Sequence, residues 1–229
     1  MTKSMRLRFV LAMLLMTGLQ PALADVHIPT GASIALNGGR LDNVGNLSIA
    51  GTLDAGSGGI SLAGDWTRTG AFVPGTSTVS FLDGGRGQSN LTGDTAFHAL
   101  SLVSATGKTY LIEPASTLGV AAGLTIRGRA GSPIQIASSD PARVAFVNLA
   151  AAATQDIEFV GVSNVHAGAQ PLAPTQTNQG GTGNDSGWFG SLLFEAVPVN
   201  ALSLPALMIL ALLMIATTMR RALRSRTLP

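Results

Sequence analysis

A short motif recurs at a fixed step near the start of the chain. Residues 34–38 read Ile-Ala-Leu-Asn-Gly, residues 47–51 read Leu-Ser-Ile-Ala-Gly, and residues 60–64 read Ile-Ser-Leu-Ala-Gly. Because residues i and i+2 of a strand point to the same face, each unit would turn two aliphatic side chains inward and one small residue outward. The closing Gly permits a tight corner. Stacked units bury an apolar column that no single unit can bury, so the 13-residue step predicts a β-solenoid.

Similar alternating pairs continue with looser spacing, separated by turn clusters such as residues 83–85 (Asp-Gly-Gly). They lie at residues 79–81, 100–102, 124–126, 134–136, 144–146 and 157–159. Many short strands with Gly-rich corners are typical of both β-solenoids and β-sandwiches. The fixed step favours an all-β, single-domain solenoid over residues 25–190, with a β-sandwich as the alternative, because sandwich strands usually run to about 5–6 residues and are joined by hairpins.

Part of this body resembles known sequences. Residues 64–81, GDWTRTGAFVPGTSTVSF, are similar to the GDWTNTGTFTPGTSTVTF repeats of large bacterial surface and secreted β-helix proteins, and residues 97–102 are similar to the strand that follows there. Residues 124–139, 157–162 and 187–189 (GWF) resemble the terminal portion of such modules. The resemblance covers most of residues 60–190. It implies a right-handed β-helix-like surface module, and it implies no particular activity.

The N-terminal segment has the three-part layout of a secretory signal peptide. Basic residues (Lys3, Arg6 and Arg8) precede an apolar stretch over residues 9–19, and small residues precede the expected cut. The apolar stretch is shorter than the roughly 20 residues that span a bilayer. We therefore predict a signal peptide over residues 1–24, with Ala22 and Ala24 as the cleavage signal and a mature chain that starts near Asp25.

Charge and cysteine content exclude several classes of protein. The chain has 14 basic and 12 acidic residues, but three of the basic residues lie in the leader and four follow the apolar tail, so the body carries a net charge of −5. The basic surplus therefore belongs to the two ends, and no nucleic-acid partner is expected. The absence of cysteine excludes disulfides, thiolate metal sites and cysteine nucleophiles.

Patterns that would carry catalysis are few. The three histidines, His27, His98 and His166, have no metal-ligating partner at i+2, i+3 or i+4. Neither a nucleophile elbow nor a phosphate-binding glycine loop is present in the sequence. We predict a protein that is not an enzyme and has no cofactor or metal.

Aspartates recur at near-regular spacing and support the one catalytic alternative. They are Asp42, Asp54, Asp65, Asp83 and Asp94. Stacked on a solenoid they would lie close together, as in polysaccharide-degrading β-helix enzymes, and hard carboxylate oxygens also suit calcium. Most of them occur in turn contexts, where Asp is an ordinary residue beside Gly. A convergent acidic groove would be needed for the enzyme alternative.

Two tryptophans and one polar segment complete the body. Trp66 is expected to pack against Phe72 or Phe81 rather than to serve as a carbohydrate platform, because aromatic side chains mainly supply buried area. Trp188 is expected to close the end of the solenoid, where exposed strand edges need covering. Residues 170–186 are rich in Gly, Pro and Thr and predict a flexible loop.

The C-terminal region predicts a membrane helix. Residues 201–219 are uncharged and apolar apart from Pro205 and a few hydroxyl side chains, which meets the length for spanning. Arg220, Arg221 and Arg224 follow as a membrane stop. By the positive-inside rule, residues 220–229 form an Arg-rich cytoplasmic tail. Residues 191–200 form a linker before the helix.

This tail resembles the PEP-CTERM and IPTL-CTERM group of bacterial C-terminal sorting signals. Those signals have a short Pro-containing motif, an apolar helix and an Arg-rich end, and here Val197, Pro198 and Val199 occupy the motif position, although Pro-Glu-Pro is absent. The resemblance implies transient anchoring in the inner membrane, cleavage near Val197-Pro198 by an exosortase-like peptidase, and transfer to the cell surface of a Gram-negative bacterium, often one that makes exopolysaccharide. A permanent single-pass anchor is the alternative.

Together these features predict an exported, surface-sorted, non-catalytic protein. Its role would be structural, adhesive or exopolysaccharide-associated, with exopolysaccharide or other surface proteins as partners besides the inner membrane and the sorting peptidase. The alternative is a polysaccharide-binding or polysaccharide-degrading β-helix protein.

Overall fold

The computed structural model describes residues 23–190, and these form a right-handed β-solenoid of about seven turns. No helix occurs within this range. The strands are β1 (Ala24–Ile28), β2 (Ser33–Ala35), β3 (Arg40–Ile49), β4 (Thr52–Asp54), β5 (Gly59–Leu62), β6 (Trp66–Arg68), β7 (Ala71–Val73), β8 (Thr78–Phe81), β9 (Gln88–Thr92), β10 (Thr95–Val103), β11 (Thr109–Ile112), β12 (Thr117–Arg127), β13 (Ile134–Ser138), β14 (Ala145–Leu149), β15 (Thr154–Glu158), β16 (Val160–Ser163) and β17 (Val165–Ala167). The all-β solenoid prediction is confirmed, and the sandwich alternative is wrong.

Parallel pairing arranges these strands on three faces. Face I consists of β1, the second half of β3, β6, β9, β11, β13 and β16. Face II consists of β2, β4 and β7, and then of the first halves of β10 and β12 with β14 and β17. Face III consists of the first half of β3, β5, β8, the second halves of β10 and β12, and β15. The long strands β3, β10 and β12 each run round a corner from one face to the next.

The stacking period in the first turns is longer than the step of the sequence motif. Leu41 pairs with Ile60 and Ile60 with Val79 on face III, which is a 19-residue period. The three copies of the motif therefore do not stack: they begin on faces II, I and III. The reason is geometric, since one motif step carries the chain only two-thirds of the way round a three-sided turn. The motif therefore recurs at equivalent positions on different faces, and its step is not the length of one turn.

A continuous apolar column fills the solenoid. Leu47, Ile49, Ile60 and Leu62 from the second and third motif copies are buried as predicted, whereas Ile34 from the first copy is 38% exposed. Ile34 lies on β2, a strand with exposed residues throughout at the edge of face II. Inward residues of successive turns contact each other along the axis, which is how repeat proteins bury area that one turn cannot.

Glycines on the corners let the turns approach closely. A Cβ on Gly64 would meet the backbone of Gly45, and a Cβ on Gly70 would meet the backbone carbonyl of Gly51. The two glycines of each pair occupy the same corner on neighbouring turns. These corners accept no side chain, because backbone obstructs the Cβ at both glycines; at Gly64 the side-chain oxygen of Asn46 obstructs it as well.

Trp66 packs inside the coil as predicted. It is fully buried, and its ring lies 5.0 Å from that of Phe72 in an edge-on arrangement and 5.2 Å from that of Phe97. Phe81, the other predicted partner, instead packs edge-on against Tyr110 at 5.7 Å. Trp66 is therefore unavailable as a carbohydrate platform.

The last turn is covered by the chain itself. Residues 170–186, predicted as a flexible loop, contain no strand but are tied to the preceding turn, where the Ala173 amide donates to Gln155 Oε1 at 2.8 Å. Leu172 is fully buried, and its amide donates to the Gly187 carbonyl. Trp188 is 4% exposed and lies in a parallel bridge with Leu172. This placement agrees with an end-closing role for Trp188.

Several predictions concern residues outside 23–190. They are the signal peptide up to and including Ala22, the linker with Val197, Pro198 and Val199, the helix over residues 201–219, and the stop residues Arg220, Arg221 and Arg224. Ala24, the last residue of the predicted signal peptide, begins β1 and pairs with Val44. Within residues 23–190, no helix has the length and hydropathy needed to cross a bilayer.

Candidate functional site

A row of hydroxyl side chains runs along the outer side of face III. The pairing register places Ser61, Ser80, Ser101 and Thr125 side by side on successive turns. Neighbouring members are separated by the strand spacing of ~4.8 Å. Ser80, Ser101 and Thr125 are partly exposed, whereas Ser61 is nearly buried. This row, called the hydroxyl row below, leaves a narrow surface of short polar side chains parallel to the solenoid axis.

Each end of the hydroxyl row carries an Arg–Asp ion pair. At one end Ser61 donates to Asp42 Oδ1 at 3.0 Å, and Asp42 pairs with Arg40, with 3.0 Å between Nε and Oδ2. At the other end Thr125 pairs in register with Asp156, whose Oδ2 lies 2.6 Å from Arg127 Nη2. Both pairs are about half exposed, so they contribute little to stability. They matter more as fixed charges at the two ends of the hydroxyl row.

A polar groove opens beside the first of these ion pairs. It has a volume of about 430 Å³ and lies where the corners between faces II and III meet face III. Its lining residues are Gly38, Arg40, Ser57, Gly58, Gly59, Thr76, Thr78 and Ser80. Ser57 and Thr76 occupy equivalent corners of neighbouring turns. Gly58 and Gly59 are buried and form a floor of bare backbone between hydroxyl-bearing walls.

Arg40 is the one charged residue among the described residues that line the groove, and its guanidinium lies against Gly59. A Cβ at Gly59 would come within 2.8 Å of Nη1 and 3.0 Å of Cζ, so a side chain at this position would push the Arg40 guanidinium out of its place. The Nε atom donates to both Asp42 carboxylate oxygens. Within residues 23–190, Nη1 and Nη2 of Arg40 donate no hydrogen bond to protein. Among the described residues, these two guanidinium nitrogens of the groove therefore have no protein acceptor.

Hydrogen bonding fixes the charge states at this end of face III. The bond from Arg40, followed by the bond from Ser61, lowers the pKa of the Asp42 carboxyl below its ordinary value. The same bond to Asp42 raises the pKa of Arg40. Both effects favour the charged forms, because a hydrogen bond to the ionised form stabilises it. The ion pair is thus present throughout the neutral range.

The structure separates the aspartates that would have formed an acidic groove. Asp42 lies on face III, and Asp54 lies on face II, where its Oδ1 accepts from the Gly56 amide at 2.9 Å. Asp65 precedes β6 at the corner leading to face I, where its Oδ1 accepts from the Asn90 amide at 2.7 Å. The spacing between consecutive members of this set is shorter than one turn, so they occupy different corners. The stacking expected for catalysis or calcium binding is wrong for these three residues.

The remaining candidate ligands are also apart. Asp83 accepts from the Ala105 amide and Asp94 from the Thr117 amide. The histidines belong to β1, β10 and β17, which lie on different turns. Within residues 23–190, no group of three or more His, Asp or Glu side chains is placed to hold a metal ion.

Asp65, together with Asp25 and two asparagines, forms a polar ladder near the start of face I. Asp25 accepts from the amide and the side chain of Asn46, Asn46 Oδ1 accepts from the Asp65 amide, and Asp65 accepts from the amide and the side chain of Asn90. The backbone bond and then the side-chain bond from Asn46 lower the pKa of Asp25. Acid and amide alternate, so like charges are not adjacent. Asp25 would remain in this ladder in the predicted mature chain.

Lys108 is a buried residue that the sequence reasoning did not single out. It is fully buried, and Nζ donates to the carbonyls of Ala63 at 2.6 Å and Leu82 at 2.8 Å, which belong to two earlier turns. Nζ also lies 5.5 Å from the centre of the Tyr110 ring. Burial lowers the pKa of Lys108 to about 8, although the negative charge of Asp83 acts in the opposite direction. The sequence contained one indication of this residue: Lys108 is the single lysine of the body, since the other lysine, Lys3, lies in the leader.

Comparisons of the chain with protein-family models, curated proteins and solved structures found no match. Functional proposals therefore depend on the groove, the hydroxyl row and the sequences of the two ends.

Proposed function

We propose that the chain is an exported, non-catalytic structural or adhesive protein of the cell surface that associates with exopolysaccharide. The observation that carries this proposal is face III, which combines a row of hydroxyls with an open polar groove across successive turns. Short hydroxyl side chains over a rigid backbone suit repeated weak hydrogen bonds to a polymer. Many weak contacts on one linked ligand add up to strong retention.

The two ends of the sequence support the proposed export and cell-surface location. The signal peptide at residues 1–24 would direct export, and the apolar segment at residues 201–219 with Arg220 and Arg221 would hold an inner-membrane intermediate. An exosortase-like peptidase would then cut near Val197-Pro198 and release the solenoid to the surface. A permanent single-pass anchor is the alternative fate.

Polysaccharide binding is favoured over polysaccharide cleavage. Glycoside hydrolysis commonly uses two carboxyl groups on either side of the scissile bond. The groove residues include a single charged side chain, Arg40, and its carboxylate partner Asp42 is held by Arg40 and Ser61. A groove of this composition can hold a sugar, but among residues 23–190 it offers no second carboxyl group for acid–base catalysis.

Mass spectrometry of the intact protein from the surface fraction tests the proposed fate. We expect a chain that starts at Asp25 and ends before Ala201, recovered together with exopolysaccharide. Pro198→Ala should leave the tail attached and the protein in the inner membrane, whereas the control Pro205→Ala should be processed normally. A wild-type chain that still ends in Arg-Thr-Leu-Pro and stays in the inner membrane would establish the permanent anchor, and an uncut cytoplasmic chain would refute export.

A further inference from the structure

We infer that the groove beside Arg40 binds the carboxylate of a uronic acid within an acidic polysaccharide. This inference rests on the proposed function and names the chemistry of its ligand. The observation behind it is the pair of Arg40 terminal nitrogens, which have no protein acceptor among residues 23–190 and lie in a groove of hydroxyls.

The guanidinium is held in a position to receive a second carboxylate. Arg presents its donors in a rigid planar fork that matches a carboxylate with two parallel hydrogen bonds. Asp42 occupies the Nε side, and Gly59 gives room for the plane to lie against the backbone. The remaining edge, formed by Nη1 and Nη2, can therefore take one further carboxylate in a bidentate manner.

The charge of the groove suits a singly charged anion. Arg40 contributes one positive charge, and that charge is already shared with Asp42. In the part of the chain that the structure describes, no other charged residue lines the groove. Asp42 is held ionised by its hydrogen bonds and makes the Arg40–Asp42 pair neutral overall, so the second negative charge of a phosphate would have no cation to offset it. A monoanionic carboxylate approaches the free guanidinium edge with less repulsion.

The walls of the groove suit a sugar ring that bears this carboxylate. Ser57, Thr76, Thr78 and Ser80 supply hydroxyls that can donate or accept, as sugar hydroxyls also can. Gly58 and Gly59 place no side chain in the groove, and the Arg40 guanidinium fills the space that a Cβ at Gly59 would take. A volume of about 430 Å³ falls in the range of small-ligand sites. The groove is open to solvent, so neighbouring sugars of a polymer can extend beyond it.

The hydroxyl row gives the polymer a path. Ser80 lines the groove and also belongs to the row, which continues through Ser101 and Thr125 towards the second ion pair. A chain held by its carboxylate at Arg40 can therefore run along the solenoid axis over a surface free of large side chains. Contacts there add to binding without determining which sugar is anchored.

Titration of the full-length protein with tetragalacturonate, followed by NMR, tests this inference. The control ligand is its methyl ester, which has the same sugar rings without the charge. We expect saturable binding of the acid and at least about tenfold weaker binding of the ester, because charge-assisted hydrogen bonds are the strong ones in such a site. Shifts should concentrate at Gly58, Gly59 and Thr78.

Variants separate the site from general electrostatics. Arg40→Gln should weaken binding of the acid at least about tenfold, and Gly59→Ala should weaken it by displacing the guanidinium. Arg143→Gln removes an exposed guanidinium in the turn between β13 and β14, away from face III, and should leave the affinity unchanged. Each variant is first checked for the wild-type circular dichroism spectrum, and Arg40 is exposed enough that folding should survive its replacement.

Equal binding of acid and ester, undiminished binding by Arg40→Gln, or the absence of any saturable shift would each overturn the inference. These failures are distinct from failure of the proposed function. A protein that reaches the surface matrix but ignores tetragalacturonate refutes the uronic acid site alone, whereas a protein that is never exported refutes the proposed function whatever it binds.

Discussion

Replacing Trp66 with alanine is expected to lower the free energy of unfolding by about 4 kcal/mol, the cost of truncating a large buried aromatic side chain. Trp66 is fully buried and packs between Leu47 of the previous turn and Leu91 of the next. Its ring also contacts Phe72 and Phe97, so the cavity would open at the centre of an aromatic cluster. Guanidinium unfolding followed by circular dichroism measures the effect.

A second variant separates packing from hydrogen bonding at this position. Trp66 Nε1 donates to Thr95 Oγ1 at 3.1 Å, and Thr95 in turn donates to the Gly93 carbonyl. Trp66→Phe retains most of the ring contacts and loses this donor, so it should cost about 1–2 kcal/mol. If Trp66→Ala lies within about 1 kcal/mol of wild type, Trp66 does not occupy the core as described.

The stability of the solenoid is expected to rise between pH 8 and pH 10 because of Lys108. Its pKa is about 8 in the folded chain, against an ordinary value of 10.5, so in this range the unfolded chain binds a proton that the folded chain has released. Stability increases with pH wherever the unfolded state binds more protons. The full lowering of the Lys108 pKa corresponds to at most about 3 kcal/mol of folding stability, and most of this stability is gained by pH 10. Solvent screening makes the observed gain smaller.

Deprotonation need not break the contacts of Lys108. A neutral amine still has two N–H groups, and the acceptors are two carbonyls, those of Ala63 and Leu82. Burial raises the pKa of Tyr110, which opposes the trend above pH 10, because the unfolded tyrosine then ionises first. The measurement therefore compares midpoints of chemical unfolding at pH 8, 9 and 10.

Lys108→Met is the control for this pH dependence. It removes the titrating amine and keeps a side chain of similar length, so its stability should be nearly constant over the same range. The wild type would contradict the account if its stability fell from pH 8 to pH 10. A rise of equal size in Lys108→Met would assign the effect to another group.

The sequence pattern was sufficient for the class of fold but not for its period. Alternation at residues 47–49 and 60–62 predicts inward aliphatic pairs, because strand periodicity depends only on local geometry. Which strand stacks on which depends on the length of a whole turn. The step of the repeated motif is not that length, because equivalent corners occur three times in each turn. The glycines held the missing information: Gly45 and Gly64, like Gly51 and Gly70, recur at the length of one turn.

The candidate site depended on this period and was therefore missed. The groove brings Arg40 beside Gly59 and Thr78, residues that are neighbours only when each is one full turn from the next. The same period separates Asp42, Asp54 and Asp65, which had looked evenly spaced along the sequence. Lys108 was overlooked for a different reason, since its acceptors are backbone carbonyls, which leave no trace in the residue types around it.

Cysteine cross-linking tests the stacking register most directly, because the native chain has no cysteine. Ser48 and Thr67 pair in register on neighbouring turns of face I, whereas Ala35 and Ser48 hold the same position in successive copies of the motif. With a short thiol cross-linker, we expect Ser48→Cys/Thr67→Cys to cross-link efficiently within one molecule and Ala35→Cys/Ser48→Cys to remain uncross-linked. Efficient cross-linking of the 35/48 pair, with none of the 48/67 pair, would contradict the account.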